Sequence, residues 1–298
     1  MRYYSPLRYP GGKSSLADFM KGVFIQNNLL DGVYVEPYAG GAAIALELLM
    51  LDYVSEIWLN DLDSSIYRFW LSALDNTDQL IELVHTVPLT VDEWRKQKAV
   101  LNDPDSHSDL EVGFATLYLN RTNRSGIICG GSVIGGLNQT GKWGIDARFN
   151  RSGLAERLKR IGDYSCRIRI FNQDAERFLT ENERPIKSLV YLDPPYFHKG
   201  QRLYRNSYQP EDHARIARFV QEELGGSWIV SYDDTPEIHR LYTNRRSIQY
   251  SLRYSAQTKR HGGEFIVFSD ELVVPDTPNP ASFKVRKQPD LFFGRASV

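Results

Sequence analysis

Ser188-Leu189-Val190-Tyr191-Leu192-Asp193-Pro194-Pro195-Tyr196 is an apolar, strand-forming run that breaks abruptly into an acid, two prolines and an aromatic. Its first five residues have the length and composition of a buried strand. Neither proline can donate to a sheet ladder, so the strand must end at Leu192 and pass into a rigid turn. In open α/β sheets, ligands bind beyond the carboxyl ends of such strands. The turn therefore presents two hydrogen-bond acceptors, the Asp193 carboxylate and the Pro194 carbonyl, where a ligand would sit. An amino group on an aromatic base is a poor nucleophile because its lone pair is delocalised into the ring. Two acceptors that bind its protons can draw it towards a tetrahedral, reactive nitrogen, and Tyr196 offers a face on which the ring can stack. Asp193, Pro194, Pro195 and Tyr196 form the candidate catalytic set.

Working outward, further strands are expected at Val33 to Glu36, Ile57 to Asp61, Arg167 to Phe171 and Trp228 to Ser231. Two more, Ile248 to Tyr254 and Glu264 to Phe268, would pair as a hairpin through the turn Lys259 to Gly263. Alternating with helical patterns, these predict an α/β domain with a mostly parallel sheet. About a hundred residues separate the second and third strands, far more than a connection needs, so a subdomain is expected to be inserted at 66–157. Its first part reads as helical, with apolar positions spaced for helices in Ile66 to Leu74 and Leu80 to Val84 and an acid-rich start at Thr90 to Lys98. Residues 125–141 hold six glycines and predict a hairpin or loop. The remaining segments, 1–65 and 158–270, form the expected catalytic domain, and the proline-punctuated 271–298 a surface tail.

Val35-Glu36-Pro37-Tyr38-Ala39-Gly40-Gly41-Ala42 is a strand end turning through small residues into a helix. Small residues let a ligand approach the backbone at a helix start. Asp61, twenty-one residues after Gly40 at the next strand end, is placed to bind ribose hydroxyls. The pair predicts a nucleoside-cofactor site of unspecified type. Tyr9-Pro10-Gly11-Gly12-Lys13-Ser14 ends like a phosphate-binding loop, but that pattern needs a glycine where Leu7 stands, and too few residues precede it for the required strand.

The net charge of −1 hides an asymmetry. Residues 1–110 carry 8 Lys and Arg against 16 Asp and Glu, and the rest 28 against 21. The basic excess includes Arg148, Arg151, Arg157, Lys159, Arg160, Arg167 and Arg169, with Arg240, Arg245, Arg246, Arg253, Lys259 and Arg260 further on. It suits either a phosphate-binding face or ordinary solvated surface. Cys129 and Cys166 match neither zinc-ligand nor disulfide spacing, and no metal-ligand set stands out. The absence of an apolar signal core or an eighteen-residue apolar run leads us to expect a cytoplasmic protein.

Together the Gly-Gly-Lys segment, the small-residue turn, the inserted region and the Asp-Pro-Pro-Tyr motif resemble, in that order, the Dam-type DNA adenine methylases. The resemblance reaches from about Arg8 to Phe268 and includes Leu119-Asn120-Arg121-Thr122, which looks like the start of that family's DNA-contacting hairpin. It implies a Rossmann-like methyltransferase sheet with an inserted, largely helical DNA-recognition subdomain. It also implies an S-adenosylmethionine site using Tyr9, Lys13, Gly40, Asp61 and Asp193, with Asp174 for the cofactor's adenine and Glu36 for its methionine end, and a double-stranded DNA substrate. Ser125-Gly126-Ile127-Ile128-Cys129-Gly130 departs from the family's usual hairpin and puts the familiar GATC specificity in doubt. Candidate base readers are Arg121, Asn123, Arg124, Asn138 and Gln139. Other classes that fit are an RNA adenine or cytosine-N4 methyltransferase of the same fold and a non-catalytic nucleic-acid-binding module. Gln288-Pro289-Asp290-Leu291-Phe292-Phe293 resembles the short peptide that bacterial replication proteins insert into the sliding clamp; the competing expectation is that its apolar residues pack onto the catalytic domain.

Overall fold

The computed structural model describes residues 4–8, 13–197, 208–253 and 261–285. Tyr9, Lys259, Arg260 and the clamp-like Gln288 to Phe293 lie outside the described residues.

Seven strands form one sheet in the order β3-β2-β1-β4-β5-β7-β6. They are β1 (Gly32–Glu36), β2 (Val54–Asn60), β3 (Ile168–Phe171), β4 (Ser188–Leu192), β5 (Ser227–Asp233), β6 (Ser247–Arg253) and β7 (His261–Phe268). The first five pair in parallel, while β7 runs antiparallel to both β5 and β6. This is the expected Rossmann-like sheet, with the β6–β7 pair as foreseen. Chain order reverses between β1 and β4, which pair with Val35 opposite Val190. Such a switch point leaves a crevice beyond the strand ends, and here it brings the ends of β1 and β4, with Glu36 and Asp193, to the same edge of the sheet.

Side-chain alternation divides the core into two layers. Tyr34, Leu189, Tyr191, Ile229 and Ile266 point to one face, covered by α1 (Ala17–Gln26), α2 (Ala43–Met50) and the helices that follow β2. Val33, Val35, Val190, Leu192 and Val230 point to the other, under α8 (Ala175–Glu181) and the helix Pro210–Glu222. Strands β1 and β4 are buried along their whole length, as strands covered on both faces must be.

Between β2 and β3 lie five α-helices: α3 (Ser64–Asp75), α4 (Thr77–Thr86), α5 (Val91–Asn102), α6 (Asp109–Thr122) and α7 (Arg151–Asp163). Asp63, Thr90, Ser108 and Asn150 cap α3, α5, α6 and α7 by accepting backbone N–H groups of the first turn. Helix α6 lacks the period that would announce it, because every residue from Val112 to Thr122 is buried. It packs so closely on α3 that a Cβ at Gly113 would fall 2.7 Å from the Arg68 carbonyl. Ile66, Phe69, Val112 and Leu117 belong to the same apolar cluster as Tyr34 and Leu189, so these helices share one core with the sheet. Helix α7 runs to Asp163, past the boundary expected at 157. The glycine-rich segment 125–141 is not a stranded hairpin. It is a loop drawn together by one antiparallel bridge, Asn123 with Val133.

The chain after β7 lies against α1. Phe283 packs edge-on to Phe19, and Lys284 pairs with Asp18 at 2.7 Å. Among the described residues no helix is long and apolar enough to cross a membrane.

Candidate active site

Asp193 stands in the turn after β4 with its side chain 24% exposed, so it faces the crevice. Its Oδ1 accepts the Ser231 hydroxyl at 2.8 Å and lies 3.3 Å from Lys13 Nζ. Burial raises the Asp193 carboxyl above its ordinary value, against the opposing pull of Lys13 and Ser231, and the nearby Asp233 adds to the rise. Lys13 itself is buried, and its ammonium also donates to Glu264 at 2.6 Å and to the Tyr196 hydroxyl at 3.1 Å. Burial disfavours that charge, yet Asp193, Tyr196, Glu264 and Tyr191 together outweigh burial and raise Lys13 above the usual lysine range. Tyr196 is buried too, its hydroxyl donating to Glu264 at 3.1 Å. Lys13 lies over the Tyr196 ring, 4.8 Å from its centre.

Ser231 and Glu264 were not foreseen. Ser231 reads as one more β5 residue, and Glu264 as the polar first residue of an apolar strand; the β4–β5 register, with Leu192 opposite Val230, and the β5–β7 register, with Asp233 opposite Glu264, bring them to the turn. Asp233 completes the arrangement by accepting the Phe197 N–H at 3.0 Å.

A second group of acids lines the ends of β1 and β2. The turn between β1 and α2 puts Gly40 and Ala42 in the left-handed region, at φ 45 for both. For alanine this is strained backbone of the kind held in place at functional sites. Asp61 accepts the Gly40 N–H and the Asp63 N–H, both at 2.9 Å, while Trp70 Nε1 from α3 donates to the Gly40 carbonyl at 3.0 Å. Asn60, fully buried, staples the ends of β1, β2 and β3 by bonding Pro37 O, Gln173 O and Gln173 N. Trp70 and Asn60 carried no sequence pattern that marked them. Burial pushes Asp61 up to about 7, although its two backbone donors oppose the rise. Burial likewise pushes Glu36 up to about 8, opposed by Tyr34 and the Ala45 N–H and reinforced by Asp193. None of these partners is a cation. Asp174 sits past the end of β3, where Oδ1 caps α8 and Oδ2 lies 3.6 Å from Arg215.

The base-reading candidates divide. Arg121 is buried, and its Nε and Nη2 both donate to the Pro6 carbonyl, so it fastens the N-terminal segment and reads no base. Asn123 is also buried, bonded to Ile127 O and to Trp94 Nε1. Gln139 is exposed, but its amide closes the loop from inside, donating to Ile134 O and Gly136 O and accepting from Ile145 N. All three are loop staples. Arg124 and Asn138 remain at the surface, beside Leu137 at 57% exposure and Trp143 at 62%, which the sequence reading passed over. Much of the basic excess is also internal. Arg151 donates to the Val84, His85 and Val87 carbonyls, Arg167 to those of Val54 and Ser55, and Arg245 and Arg246 hold the chain around residues 269–272.

One contact joins the loop to the segment that precedes Lys13. Asn120, fully buried on α6, accepts the Arg8 N–H at 2.7 Å and donates to the Arg8 and Gly126 carbonyls at 2.8 and 2.9 Å. Gly126, at φ 76, must be glycine, since a Cβ there would fall 2.2 Å from Arg8 O. Five residues after Arg8 comes Lys13.

The profile of the D12 class N6 adenine-specific DNA methyltransferases matches residues 9–257. The chain belongs to this family. It is 20% identical over 237 residues, 72% of this chain and 78% of the relative, to the Type II methyltransferase M.MjaIII of Methanocaldococcus jannaschii. A solved structure from Pyrococcus horikoshii, PH1948, described provisionally as an RNA methyltransferase, aligns over 88% of this chain and 86% of that one with 11% identity and a TM-score of 0.42.

The two raised acids predict a pH dependence. Because Glu36 and Asp61 hold protons in the fold that they lose in the unfolded chain, their stabilising contribution is full below the unfolded carboxylate range and is lost as pH rises towards 7 to 8. A cationic ligand needs them ionised. Calorimetric titration with S-adenosylmethionine should therefore show affinity rising well beyond roughly tenfold from about pH 6 to about pH 8.5 with proton release, and Glu36→Gln should make the rise shallower. A pH-independent affinity in the unaltered protein would separate these acids from the ligand.

Proposed function

We propose that this protein transfers a methyl group from S-adenosylmethionine to N6 of an adenine swung out of duplex DNA, in a site-specific manner. The observation that carries the reading is the fixed pose of Asp193: Lys13 and Ser231 hold Oδ1, and among the described residues no hydrogen bond engages Oδ2.

The acids fit the cofactor by their chemistry. Glu36 suits the cationic methionine end, Asp61 keeps lone pairs for ribose hydroxyls, and the Gly40–Ala42 turn gives close backbone approach. Asp174 and Tyr9 are assigned to the nucleoside on resemblance alone. When bound, S-adenosylmethionine supplies an electrophilic methyl on a sulfonium. The chain's own residues prepare the amino group. A base stacked in the duplex cannot be reached, and swinging it out costs a few kcal/mol that the pocket contacts must offset. Asp193 Oδ2 and the Pro194 carbonyl then accept the two N6 protons, freeing the nitrogen lone pair. Once methylated, the nitrogen is cationic and sheds one proton to Asp193, whose raised proton affinity makes it a ready acceptor. Tyr196, whose ring lies next to Lys13, supplies the aromatic contact for the base.

For DNA, Arg8, Arg148 and Arg157 lie close enough to Arg121 to disfavour its charge. Burial and these neighbours push Arg121 down to about 9, and burial with Arg148 lowers Arg8. A cluster of like charges at the foot of the glycine-rich loop suits a backbone phosphate. Arg124, Asn138, Leu137 and Trp143 above it present polar and aromatic groups suited to base edges and faces. The location that goes with this activity is the cytoplasm.

Asp193→Ala should fold and yet lose on the order of a hundredfold or more in turnover on duplex DNA, because it removes a positioned acceptor from a desolvated site. Turnover near that of the unaltered enzyme would refute the assignment. The loop gives a second contrast. Arg124→Ala or Asn138→Ala should relax discrimination at one base pair by about 1 to 3 kcal/mol, whereas Arg121→Ala should lower the melting temperature and leave sequence preference alone. Selectivity lost through Arg121 and kept through Arg124 would reverse these roles.

A further inference from the structure

Glu264 has no task in the chemistry above, yet it is 1% exposed and sits in the same network. It accepts Lys13 Nζ at 2.6 Å and the Tyr196 hydroxyl at 3.1 Å, while Lys13 reaches Asp193 Oδ1 only at 3.3 Å. Lys13 is therefore held most closely by Glu264, with Asp193 the more distant of its two acids. On the reading of methyl transfer given above, we propose that Glu264 is the positioning residue of the site. It holds the Lys13 ammonium at the shorter distance and so fixes where that charge lies.

Lys13 left with Asp193 alone would close into a tight pair in a desolvated site, where Coulomb attraction is strong. Asp193 would then be drawn towards the lysine and become a poorer proton acceptor. With Glu264 present, the trio of one lysine and two acids keeps a net negative charge, and Asp193 Oδ2 stays available. The same carboxylate aims Tyr196 through its hydroxyl, so the acceptor and the stacking face are set by one group. Strand geometry makes this possible. Glu264 pairs with Asp233 across β5 and β7, and the two acids grip successive residues of the turn after β4: Asp233 holds the Phe197 N–H and Glu264 the Tyr196 hydroxyl.

The test compares single-turnover methylation rates with separately measured affinities for S-adenosylmethionine and for duplex DNA. Glu264→Gln keeps size and hydrogen-bonding atoms but removes the charge; its rate should fall about tenfold to a hundredfold, the penalty of a misplaced reacting group, with both affinities within about twofold of the unaltered enzyme. Glu264→Asp should recover part of the rate. Adding Glu264→Gln to Lys13→Met should cost little beyond Lys13→Met alone, because the acid acts through the lysine. A role in folding alone would lower the melting temperature and leave the rate below melting unchanged, and that result overturns the proposal. So would a rate loss explained by lost cofactor affinity. Should Glu264→Gln not fold, an unaltered rate in Glu264→Asp together with full additivity of that change with Lys13→Met overturns it equally. Failure of the transfer reading looks different, since the unaltered enzyme would then methylate no adenine.

Discussion

A lysine ammonium cannot be buried without a counter-charge; unpaired, it would cost several kcal/mol or surrender its proton. Lys13 is buried with its side chain 2% exposed, and two carboxylates from distant parts of the chain meet it there. Asp193 comes from the end of a central parallel strand, and Glu264 from the one strand that runs antiparallel to its neighbours on both sides. Satisfying one ammonium thus requires the N-terminal segment, the turn after β4 and the β6–β7 pair to be in place together. The Asp-Pro-Pro-Tyr turn owes its rigidity to the prolines and its orientation to this pair of charges.

The same requirement reaches the inserted helices. Lys13 can reach the crevice only if the segment before it is docked, and the docking groups are Asn120 and Arg121 on α6, bonded to Arg8 and Pro6. Asn120 also holds Gly126 at the start of the glycine-rich loop. Two residues of one buried helix therefore lie between the loop proposed to meet DNA and the lysine paired with Asp193. Trp70 on α3 supports the Gly40 turn in the same way. The helices after β2 hold both ends of the site as well as extending it.

What could be read from the sequence follows from which residues carry their meaning locally. The apolar run Ser188 to Leu192 ended where its prolines said it must, and the β6–β7 pairing was foreseen, although His261, Gly262 and Gly263, read as part of its turn, are strand residues paired with Arg253, Leu252 and Ser251. Helix α6 was hidden because it is buried all round and shows no stripe. Glu264 and Ser231 were hidden because their role depends on strand register across more than thirty residues of chain. Arg121, Asn123 and Gln139 were misread for a chemical reason: the side chains that recognise base edges are also the ones that staple irregular backbone, and only burial and hydrogen-bond partners separate the uses. The arginines of the basic half raised the same ambiguity, and many of them hold carbonyls of the chain itself.

The central claim is that this crevice activates the exocyclic amino group of adenine. Its most direct test is nucleoside analysis of duplex DNA after incubation with the protein and methyl-labelled S-adenosylmethionine. The account predicts label in N6-methyldeoxyadenosine alone; label in N4-methyldeoxycytidine, or label in RNA with none in DNA, would contradict it.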